Sequence, residues 1–549
     1  MMHLVTMEST IVYNIMIDKA YAHWGRKSPD STKRKNIMND IIIVGSGNAG
    51  LITALILKKT LPNISIKLIH DSETSIVGVG EGSTKEFRLF MNLMGWKPED
   101  IWNNCGATYK FGTVFYDWFK HLETNIWVHA ISPNIFSNTK FHYFYERVAE
   151  GTTPHKAEKL EDTIRDGVAP FEYNLASGFG DFLEPNQFHF DTFELNQFLT
   201  KSCIELGIII EDQKILDVEL TDGEIGSLIT GLGRETAKLY IDCTGLGKTL
   251  ISKFPEFKKS WKDLSNEFLV NRAITWQTET DWEKIIAYTK SHAIEHGWVW
   301  TIPAQTHTGQ GYVFSDNHVS LDQAIKEVSE KFPTFDPNKI GKDIKFSAGY
   351  SEKMWIGNCV AIGLSGSFCE PLEATNIATA INQAILLTEH LPGDDHSYTS
   401  KSYNKIMNQI MYNLFDFVRL HYYSGRDDTQ FWVDNNNVPM NDRITFLKEI
   451  CESGGTPSKA FIETQPFNLF QQRNYIFHLY ALGWWGQKNA LNILRLTNSL
   501  QTPGELCPNE DLLHTFGASM IGLKKLMDTK QKYNITMYDQ GKQYRTAEQ

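Results

Sequence analysis

The chain has 549 residues, 42% of them hydrophobic and 21% charged, and this composition excludes a disordered protein. Its length predicts two to four domains, or one large domain with insertions. The formal net charge of −12 argues against nucleic acid or an anionic membrane surface as a partner.

The N-terminal part, residues 1–38, is predicted to be a flexible extension, because "GRKSPDSTKRKN" is polar and basic and the organised pattern starts only near Asp40. Glu8 and Asp18 interrupt this segment, which also lacks the basic start of a secretory signal. The uncharged run over residues 41–57 contains Gly-Ser-Gly-Asn and has charged residues just outside it, so we do not expect a membrane span there.

A strand, a glycine-rich turn and a helix are predicted next. Ile41 to Val44 is a continuous apolar run, "GSGNAG" follows it, and Leu51 to Lys59 suits a buried helix. Gly45, Gly47 and Gly50 form G-x-G-x-x-G in the context that dinucleotide binding requires. The three glycines permit a tight turn, close approach of the backbone to a pyrophosphate, and close packing of helix and strand.

Other nucleotide contacts are expected around this motif. Asn48 and Ala49 lie inside it, where helix N–H groups face the phosphates. An acidic residue should follow about 20 positions later to hold the ribose. The second predicted strand, residues 64–69, ends in "KLIHDS", so either His70 or Asp71 occupies that position, and we favour Asp71.

Short strands and helices alternate through the middle of the chain, and the pattern becomes mostly helical from about residue 380. We therefore predict a nucleotide-binding core over residues 39–390 with inserted substrate-facing segments. Residues 391–549 are expected to form a mainly helical substrate-binding region.

The segment "GWVWTIP", residues 297–303, is predicted to be a strand with a rigid apolar face. Alternation places Trp298, Trp300 and Ile302 on one side of such a strand. Pro303 removes a hydrogen-bond donor and is expected to end it. Taken alone, the two tryptophans are most simply explained as core residues.

Several motifs together resemble the flavin-dependent tryptophan halogenases, from about residue 40 to about residue 435. The W-x-W-x-I-P element is the most specific of them. Besides "GSGNAG", the motifs in chain order are "VGVGEGST" (77–84), "ATYKFGTVFYDW" (107–118), "GWVWTIP", "GYVFS" (311–315), "GNCVAIGLSGSFCEPLEATNI" (357–377) and "YYSGRDDTQFW" (422–432).

This resemblance implies an α/β fold, with a Rossmann-like FAD-binding domain of the flavin monooxygenase/halogenase type and a mostly helical substrate-binding cap. Members of this family use reduced flavin, oxygen and halide to make hypohalous acid. The acid passes through a tunnel to a lysine near the aromatic substrate. Trp298 and Trp300 would shield the flavin and keep the organic substrate away from the oxygen chemistry.

Two catalytic residues are carried over by the resemblance. Lys110 in "ATYKFG" matches the catalytic lysine, whose ammonium can hydrogen-bond hypohalous acid or whose neutral amine can be halogenated. Glu373 in "EPLEATNI" matches a carboxylate that orients the hypohalous acid or takes the ring proton. Without the family, Lys110 would be a surface cation and Glu373 an acid at a helix start.

Flavin and halide contacts are also implied by the matched motifs. Thr375 and Asn376 are expected at the halide site, and Asn376 stands where family members usually have glycine, which leaves the size of this site undetermined. Further cofactor-binding residues are expected at Gly80, Glu81, Ser83, Gly363 and Leu364.

Some positions are open to two readings. "DCTG" over residues 242–245 looks like the strand that returns beneath the nucleotide. His129 approaches the substrate ring or, more simply, packs in the core. Trp484 and Trp485 line an aromatic cage or pack two helices together.

The resemblance implies FAD as cofactor, delivered as FADH2 by a separate flavin reductase, with chloride, bromide or iodide as co-substrate. Seven scattered cysteines without a CxxC pair predict a reduced, cytoplasmic protein without a metal site. The substrate is expected to be a small aromatic molecule of indole type, and a homo-oligomer is left open. The alternatives are a flavin-dependent aromatic monooxygenase and a non-catalytic flavin-binding redox scaffold.

Overall fold

The computed structural model describes most of the chain between residues 39 and 496. The predicted extension over residues 1–38 and the last part of the predicted substrate region lie outside the described residues, as does Gly80. The described residues are 39–74, 78, 81–110, 112–122, 125–130, 145, 148–149, 151, 187–282, 285–392 and 396–496.

Strands and helices alternate in the first part of the described chain, and helices follow one another in the last part. The strands are β1 (Asn39–Val44), β2 (Ile66–His70), β3 (Glu81–Gly82), β4 (Thr108–Tyr109), β5 (Gly112–Tyr116), β6 (Ile126–Ala130), β7 (Phe188–Phe190), β8 (Ile209–Asp212), β9 (Ile215–Thr221), β10 (Glu224–Thr230), β11 (Gly233–Glu235), β12 (Ala237–Asp242), β13 (Trp261–Asp263), β14 (Arg272–Glu279), β15 (Thr289–Ala293), β16 (Gly297–Pro303), β17 (His307–Phe314), β18 (Lys342–Lys345), β19 (Gly349–Ser351), β20 (Trp355–Ile356), β21 (Cys359–Ala361) and β22 (Ser367–Phe368). The helices are α1 (Asn48–Thr60), α2 (Lys85–Met94), α3 (Pro98–Asn104), α4 (Thr192–Glu205), α5 (Pro255–Ser260), α6 (Leu321–Lys331), α7 (Thr375–His390), α8 (Thr399–Leu420), α9 (Gln430–Asn437), α10 (Asp442–Glu452), α11 (Lys459–Ile462), α12 (Gln472–Ala481) and α13 (Gln487–Leu496).

The dinucleotide-type sheet has the strand order β20-β21-β12-β1-β2-β8. Its central strand β1 pairs in parallel with β12 on one side and β2 on the other. Ile42 and Ile43 are fully buried because both faces of the strand are covered. The predicted strand–turn–helix is confirmed, but α1 begins at Asn48 rather than Leu51, because the glycine motif itself supplies the extended N-cap, Gly47.

A second, seven-stranded sheet has the order β18-β14-β17-β16-β15-β5-β6 and contains the "GWVWTIP" segment as β16. The strand ends at Pro303, as predicted, and Trp298, Trp300 and Ile302 are all buried. Gly311 lies opposite Trp300 in β17. A methyl group at Gly311 would lie 2.1 Å from the Trp300 ring, so the large ring is matched by the absence of a side chain across the sheet.

The helices near the C-terminus of the described chain pack on the nucleotide-binding sheet and on one another. Helix α7 lies against both α1 and α8, and α12 lies against α8 and strand β6. The predicted α/β class, with a Rossmann-like domain and a mostly helical cap, is confirmed. Among the described helices, none has the length and apolar character needed to cross a bilayer.

Candidate active site

A cavity of about 710 Å³ lies where the carboxyl end of β1 meets the second sheet and the start of α7. Its volume is within the usual range for cofactor and substrate sites. Most of the predicted site residues lie in its wall: Gly45, Gly47, Asn48, Ala49, Asp71, Glu81, Lys110, Trp298, Trp300, Gly363, Leu364, Glu373 and Asn376.

The glycine turn has the geometry that a dinucleotide requires. Gly45 has φ of +109°, and a methyl group there would lie 2.3 Å from the Cys243 carbonyl oxygen. A methyl group at Gly50 would lie 2.0 Å from the Gly45 carbonyl oxygen, so Gly50 permits helix packing and does not line the cavity. A methyl group at Gly47 would meet no protein atom within 4 Å and would project into the cavity beside the N-terminus of α1. The residues present therefore fit a bound pyrophosphate.

These differences predict opposite effects of two similar substitutions. Gly45→Ala is expected to destabilise the fold by about 3 kcal/mol or more, because it adds both a backbone clash and a disfavoured φ. Gly47→Ala is expected to leave the melting temperature unchanged but to weaken FAD binding by about tenfold or more, because its methyl group takes space from the phosphates. Thermal unfolding and FAD titration of both variants check this, and a Gly47→Ala protein that binds FAD like the wild type would contradict it.

The residues predicted to hold the nucleotide at the next strand are both present at the cavity. His70 and Asp71 each lie in its wall, so the choice between them stays a prediction. The Asp71 carboxylate also accepts hydrogen bonds from the Glu73 N–H at 3.0 Å and the Thr74 hydroxyl at 3.3 Å. It therefore stabilises its own turn.

Glu81 and Ser83 lie on either side of Gly82. Burial raises the pKa of the Glu81 carboxyl to about 7, and the neighbouring Asn48 amide acts in the opposite direction. Ser83 is fully buried behind Lys110 and does not line the cavity. Its hydroxyl accepts a hydrogen bond from the Phe188 N–H at 2.8 Å, which fixes the backbone that Lys110 contacts.

Lys110 is buried at the end of β4, with 1% of its surface exposed. Its Nζ donates a hydrogen bond to the Ser83 carbonyl oxygen at 3.1 Å. A methyl group at Gly82 would lie 3.0 Å from this Nζ and 3.4 Å from Ala374 Cβ, so the ammonium is beside the segment that carries Glu373. Burial lowers the pKa of Lys110 to about 8, although the negative charge of Glu373 acts in the opposite direction.

Glu373 lies in a strained turn just before α7. Its φ is +64° and that of Ala374 is +53°, a conformation that costs free energy for residues with a side chain. Its Oε1 accepts a hydrogen bond from His129 Nδ1 at 2.7 Å and lies 3.2 Å from His421 Nε2. Burial raises the pKa of the Glu373 carboxyl, but His129, which donates a hydrogen bond to it, outweighs burial and holds this pKa well below its usual range. The carboxylate therefore does not act as a helix cap.

The oxygen Glu373 Oε2 has no hydrogen-bond partner among the described residues, although it is buried. An unpaired buried carboxylate oxygen is costly in a folded chain. Glu373 lines the main cavity and also a smaller pocket that contains Arg473, and its side chain is fully enclosed between them.

Glu370 is a site residue that the sequence reasoning missed. Its Oε2 accepts hydrogen bonds from Trp298 Nε1 at 2.9 Å and from the Tyr422 hydroxyl at 2.7 Å. Burial raises the pKa of the Glu370 carboxyl to about 7, against these two donors. Both partners lie in motifs already quoted, but nothing in the sequence indicates that "EPLE" and "HYY" meet at the tryptophan strand.

The predicted halide residues meet at a narrow pocket beside the main cavity. Thr375 and Asn376, the first residues of α7, line it together with Gly363 and Leu364. Asn376 also reaches the main cavity. The pocket therefore combines a helix N-terminus with two predicted flavin contacts.

The remaining candidates are explained by packing or by support of the cavity. Asp242 accepts hydrogen bonds from the backbone of Thr244, Leu250 and Ile251, which fixes the "DCTG" loop in the cavity wall. Trp485 is buried against Tyr145. Trp484 stacks near Tyr423. Neither tryptophan lines the main cavity.

Comparisons with known proteins agree with this geometry. Residues 40–493 match the family described as "Tryptophan halogenase". The 7-chloro-L-tryptophan 6-halogenase KtzR of Kutzneria sp. (strain 744) is 28% identical over 74% of this chain and 83% of its own length. The tryptophan 6-halogenase SttH of Streptomyces toxytricini is 29% identical over 74% of this chain and 82% of its own length.

Solved structures show the same likeness. The crystal structure of SttH covers 84% of this chain and 96% of its own, with a TM-score of 0.70 and 25% identity. The crystal structure of a tryptophan halogenase from Shewanella frigidimarina covers 88% of this chain and 99% of its own, with a TM-score of 0.71 and 25% identity. Because the family match runs through both the nucleotide-binding fold and the helical region, the chain belongs to the tryptophan halogenase family of flavin-dependent halogenases.

Proposed function

We propose that this enzyme halogenates an electron-rich aromatic ring of indole type, with Lys110 and Glu373 as its catalytic residues. The observation that carries the proposal is that both side chains are buried together in the wall of a dinucleotide cavity, next to the Trp298 and Trp300 strand. Because its relatives include tryptophan 6-halogenases, tryptophan is among the first substrates to test. No comparison favours a monooxygenase or a redox scaffold.

Reduced FAD, when bound, supplies with oxygen and halide the hypohalous acid that the ring requires. Gly45, Gly47, Asn48 and Ala49 would hold its phosphates, and other residues would complete its site. These are His70 or Asp71, Glu81, Gly363 and Leu364, with Gly80 and Ser83 as predicted contacts. Thr375 and Asn376 would bind chloride, bromide or iodide at the start of α7.

Each of the cavity residues then has a separate role in the reaction. The Lys110 ammonium hydrogen-bonds the oxygen of hypohalous acid and gives this oxygen a proton as the halogen leaves. The free Oε2 of Glu373 takes the proton that the ring carbon loses. Trp298 and Trp300 separate the organic substrate from the cofactor, and Glu370 holds the Trp298 ring in place.

The wider assignments rest on the same proposal. Residues 39–390 form the FAD-binding core, and residues 391–549 provide most of the substrate-binding region. A separate reductase delivers FADH2, and the protein works in the cytoplasm, where its cysteines stay reduced.

The experiment that tests this function is one reaction followed by mass spectrometry. It contains the protein, FAD, a separate flavin reductase with NADH, oxygen, one halide at a time, and tryptophan, indole and phenols. A halogen mass shift that depends on Lys110 supports the proposal. A gain of one oxygen, or flavin reduction by NADPH without the reductase, would instead identify a monooxygenase.

A pH dependence follows from the burial of Lys110. Its lowered pKa of about 8 leaves the ammonium form dominant at pH 7. The halogenation rate is therefore expected to fall as the pH rises through about 8, while flavin oxidation shows no inflection there. A rate that rises through this pH would assign the neutral amine, and so the haloamine route, to Lys110.

A further inference from the structure

Glu373 is enclosed by three buried histidines from separate elements. His129 belongs to β6, His421 follows the last residue of α8, and His478 belongs to α12. All three side chains are fully buried. The rings of His421 and His478 lie 3.9 Å apart, and those of His129 and His478 lie 4.7 Å apart. Packing alone does not require three imidazoles at one carboxylate.

The proton of His129 is fixed in position by its neighbours. The Asn474 Oδ1 accepts the Gln471 N–H at 2.7 Å, which turns the Asn474 amide nitrogen toward His129 Nε2 at 3.0 Å. An amide nitrogen only donates, so His129 Nε2 accepts and carries no proton. The single proton of the neutral ring is then on Nδ1, which donates to Glu373 Oε1.

The proton of His421 is held on the ring nitrogen that points away from Glu373. Its Nδ1 lies 2.9 Å from the Phe417 carbonyl oxygen, which only accepts, so Nδ1 carries the proton. In the neutral ring, Nε2 then directs a lone pair at Glu373 Oε1, 3.2 Å away. Two acceptors therefore face each other across a gap that one proton would close.

We propose that Glu373 and His421 act as a proton-accepting pair, in which His421 Nε2 receives the proton that Glu373 removes from the substrate ring. This inference rests on the proposed function. The ring C–H bond breaks, its electron pair restores the aromatic system, and the proton goes to Oε2 of Glu373. Rotation of the carboxyl group then presents this oxygen to His421 Nε2, which takes the proton. The halogen–oxygen bond breaks with its electrons on oxygen, and Lys110 protonates that oxygen to form water. The proton on His421 returns through Glu373 and cavity water to Lys110, so the cycle closes.

Burial lowers the pKa of His421 and keeps the ring neutral at rest, whereas the negative charge of Glu373 acts in the opposite direction and, with the helix end, stabilises a transient positive charge. This residue is at the C-terminal end of the 22-residue helix α8, where the helix dipole stabilises cations. The Phe417 carbonyl oxygen accepts from the opposite ring nitrogen. Lys110, His129 and His478 also face Glu373, and a small pocket that Glu373 lines brings Lys85, Glu86 and Arg473 close to it. Burial lowers the pKa of His478 well below its usual range, so it remains neutral.

The same hydrogen bonds argue against a metal ion at this cluster. One potential metal-ligand atom from each of His129, Glu373 and His478 lies within 4.8 Å of the others. His129 Nδ1, however, is 2.7 Å from Glu373 Oε1 and donates to it directly, and His129 Nε2 is engaged by Asn474. The three side chains are therefore arranged for hydrogen bonding and proton transfer and not for binding a metal ion.

The first test is the variant His421→Gln in the holoenzyme, assayed with L-tryptophan and indole deuterated at the ring carbons. Glutamine keeps a polar side chain near Glu373 but has no basic nitrogen. Halogenation is expected to slow about 10- to 100-fold, and a primary deuterium isotope effect that the wild type lacks should appear, because proton removal becomes rate-limiting. His478→Gln, which alters the packing but not the proton acceptor, should show no isotope effect.

The second test needs neither substrate nor turnover. Nitrogen NMR of the wild-type holoenzyme labelled with ¹⁵N-histidine, assigned with single variants, should find His129 and His421 neutral at pH 7 with the proton on Nδ1. A proton on His421 Nε2 at pH 7, a charged His129, or a slowed His421→Gln enzyme without an isotope effect would overturn the pair. A wild-type protein that oxidises flavin but halogenates nothing would instead count against the proposed function. In that case the NMR spectra would still test the proton positions on which the Glu373–His421 pair depends.

Discussion

Replacing Lys110 with alanine or methionine is expected to abolish ring halogenation while flavin oxidation continues. The Lys110 ammonium lies beside Glu373 in the described cavity wall. It is buried, so a water molecule cannot take over its role as proton donor. Loss of a positioned acid in such a site costs at least about 10³-fold in rate. Halogenated product by mass spectrometry and FADH2 oxidation by absorbance measure the two activities separately. Product formation at the wild-type rate would remove Lys110 from the mechanism.

The methionine variant also separates a catalytic loss from a folding loss. Burial lowers the pKa of Lys110 to about 8 from 10.5, so the charged side chain destabilises the fold by about 3 kcal/mol at neutral pH. Between about pH 8 and pH 10.5 the unfolded chain binds more protons at Lys110 than the folded chain does. The free energy of unfolding of the wild type therefore increases as the pH rises through this range. Lys110→Met should be more stable than the wild type at pH 7 and should lack this gain. Lys120→Ala, which removes an exposed lysine, should change neither activity nor stability.

The parts of the fold that were predicted correctly depend on short-range rules. The G-x-G-x-x-G turn and the alternation of Trp298 and Trp300 need only neighbours in sequence, and both are present. The apolar run predicts the start of α1 at Leu51, three residues late, because the extended cap lies inside the glycine motif, where no apolar periodicity marks it.

The environment of Glu373 depends on long-range contacts and was not predictable in the same way. His129 is 244 residues away in sequence and His421 is 48 residues away, and each reaches Glu373 through a different element. The sequence leaves His129 either to approach the substrate ring or to pack in the core, and its ring is fully buried and hydrogen-bonds Glu373 and Asn474. The left-handed backbone at Glu373 is equally invisible in "EPLEATNI", because glutamate rarely adopts it.

Replacing Glu373 with glutamine is expected to reduce halogenation by about 10²- to 10⁴-fold, the usual contribution of a general base. Glutamine keeps an oxygen that accepts from His129 Nδ1, so this buried donor stays paired, whereas alanine would leave it unsatisfied at a cost of about 1–3 kcal/mol. The loss should fall on kcat, with flavin oxidation and the melting temperature little changed.

A buried carboxylate outside the cavity provides the matched control for that result. Glu327 accepts hydrogen bonds from the Tyr312 hydroxyl at 2.9 Å and the Glu295 N–H at 2.7 Å, and it does not line the cavity. Glu327→Gln should therefore lower stability more than turnover. If Glu373→Gln halogenates at the wild-type rate, the strained turn and the unpaired Oε2 need another explanation. If only Glu373→Gln loses turnover, the Glu373 carboxylate is the base.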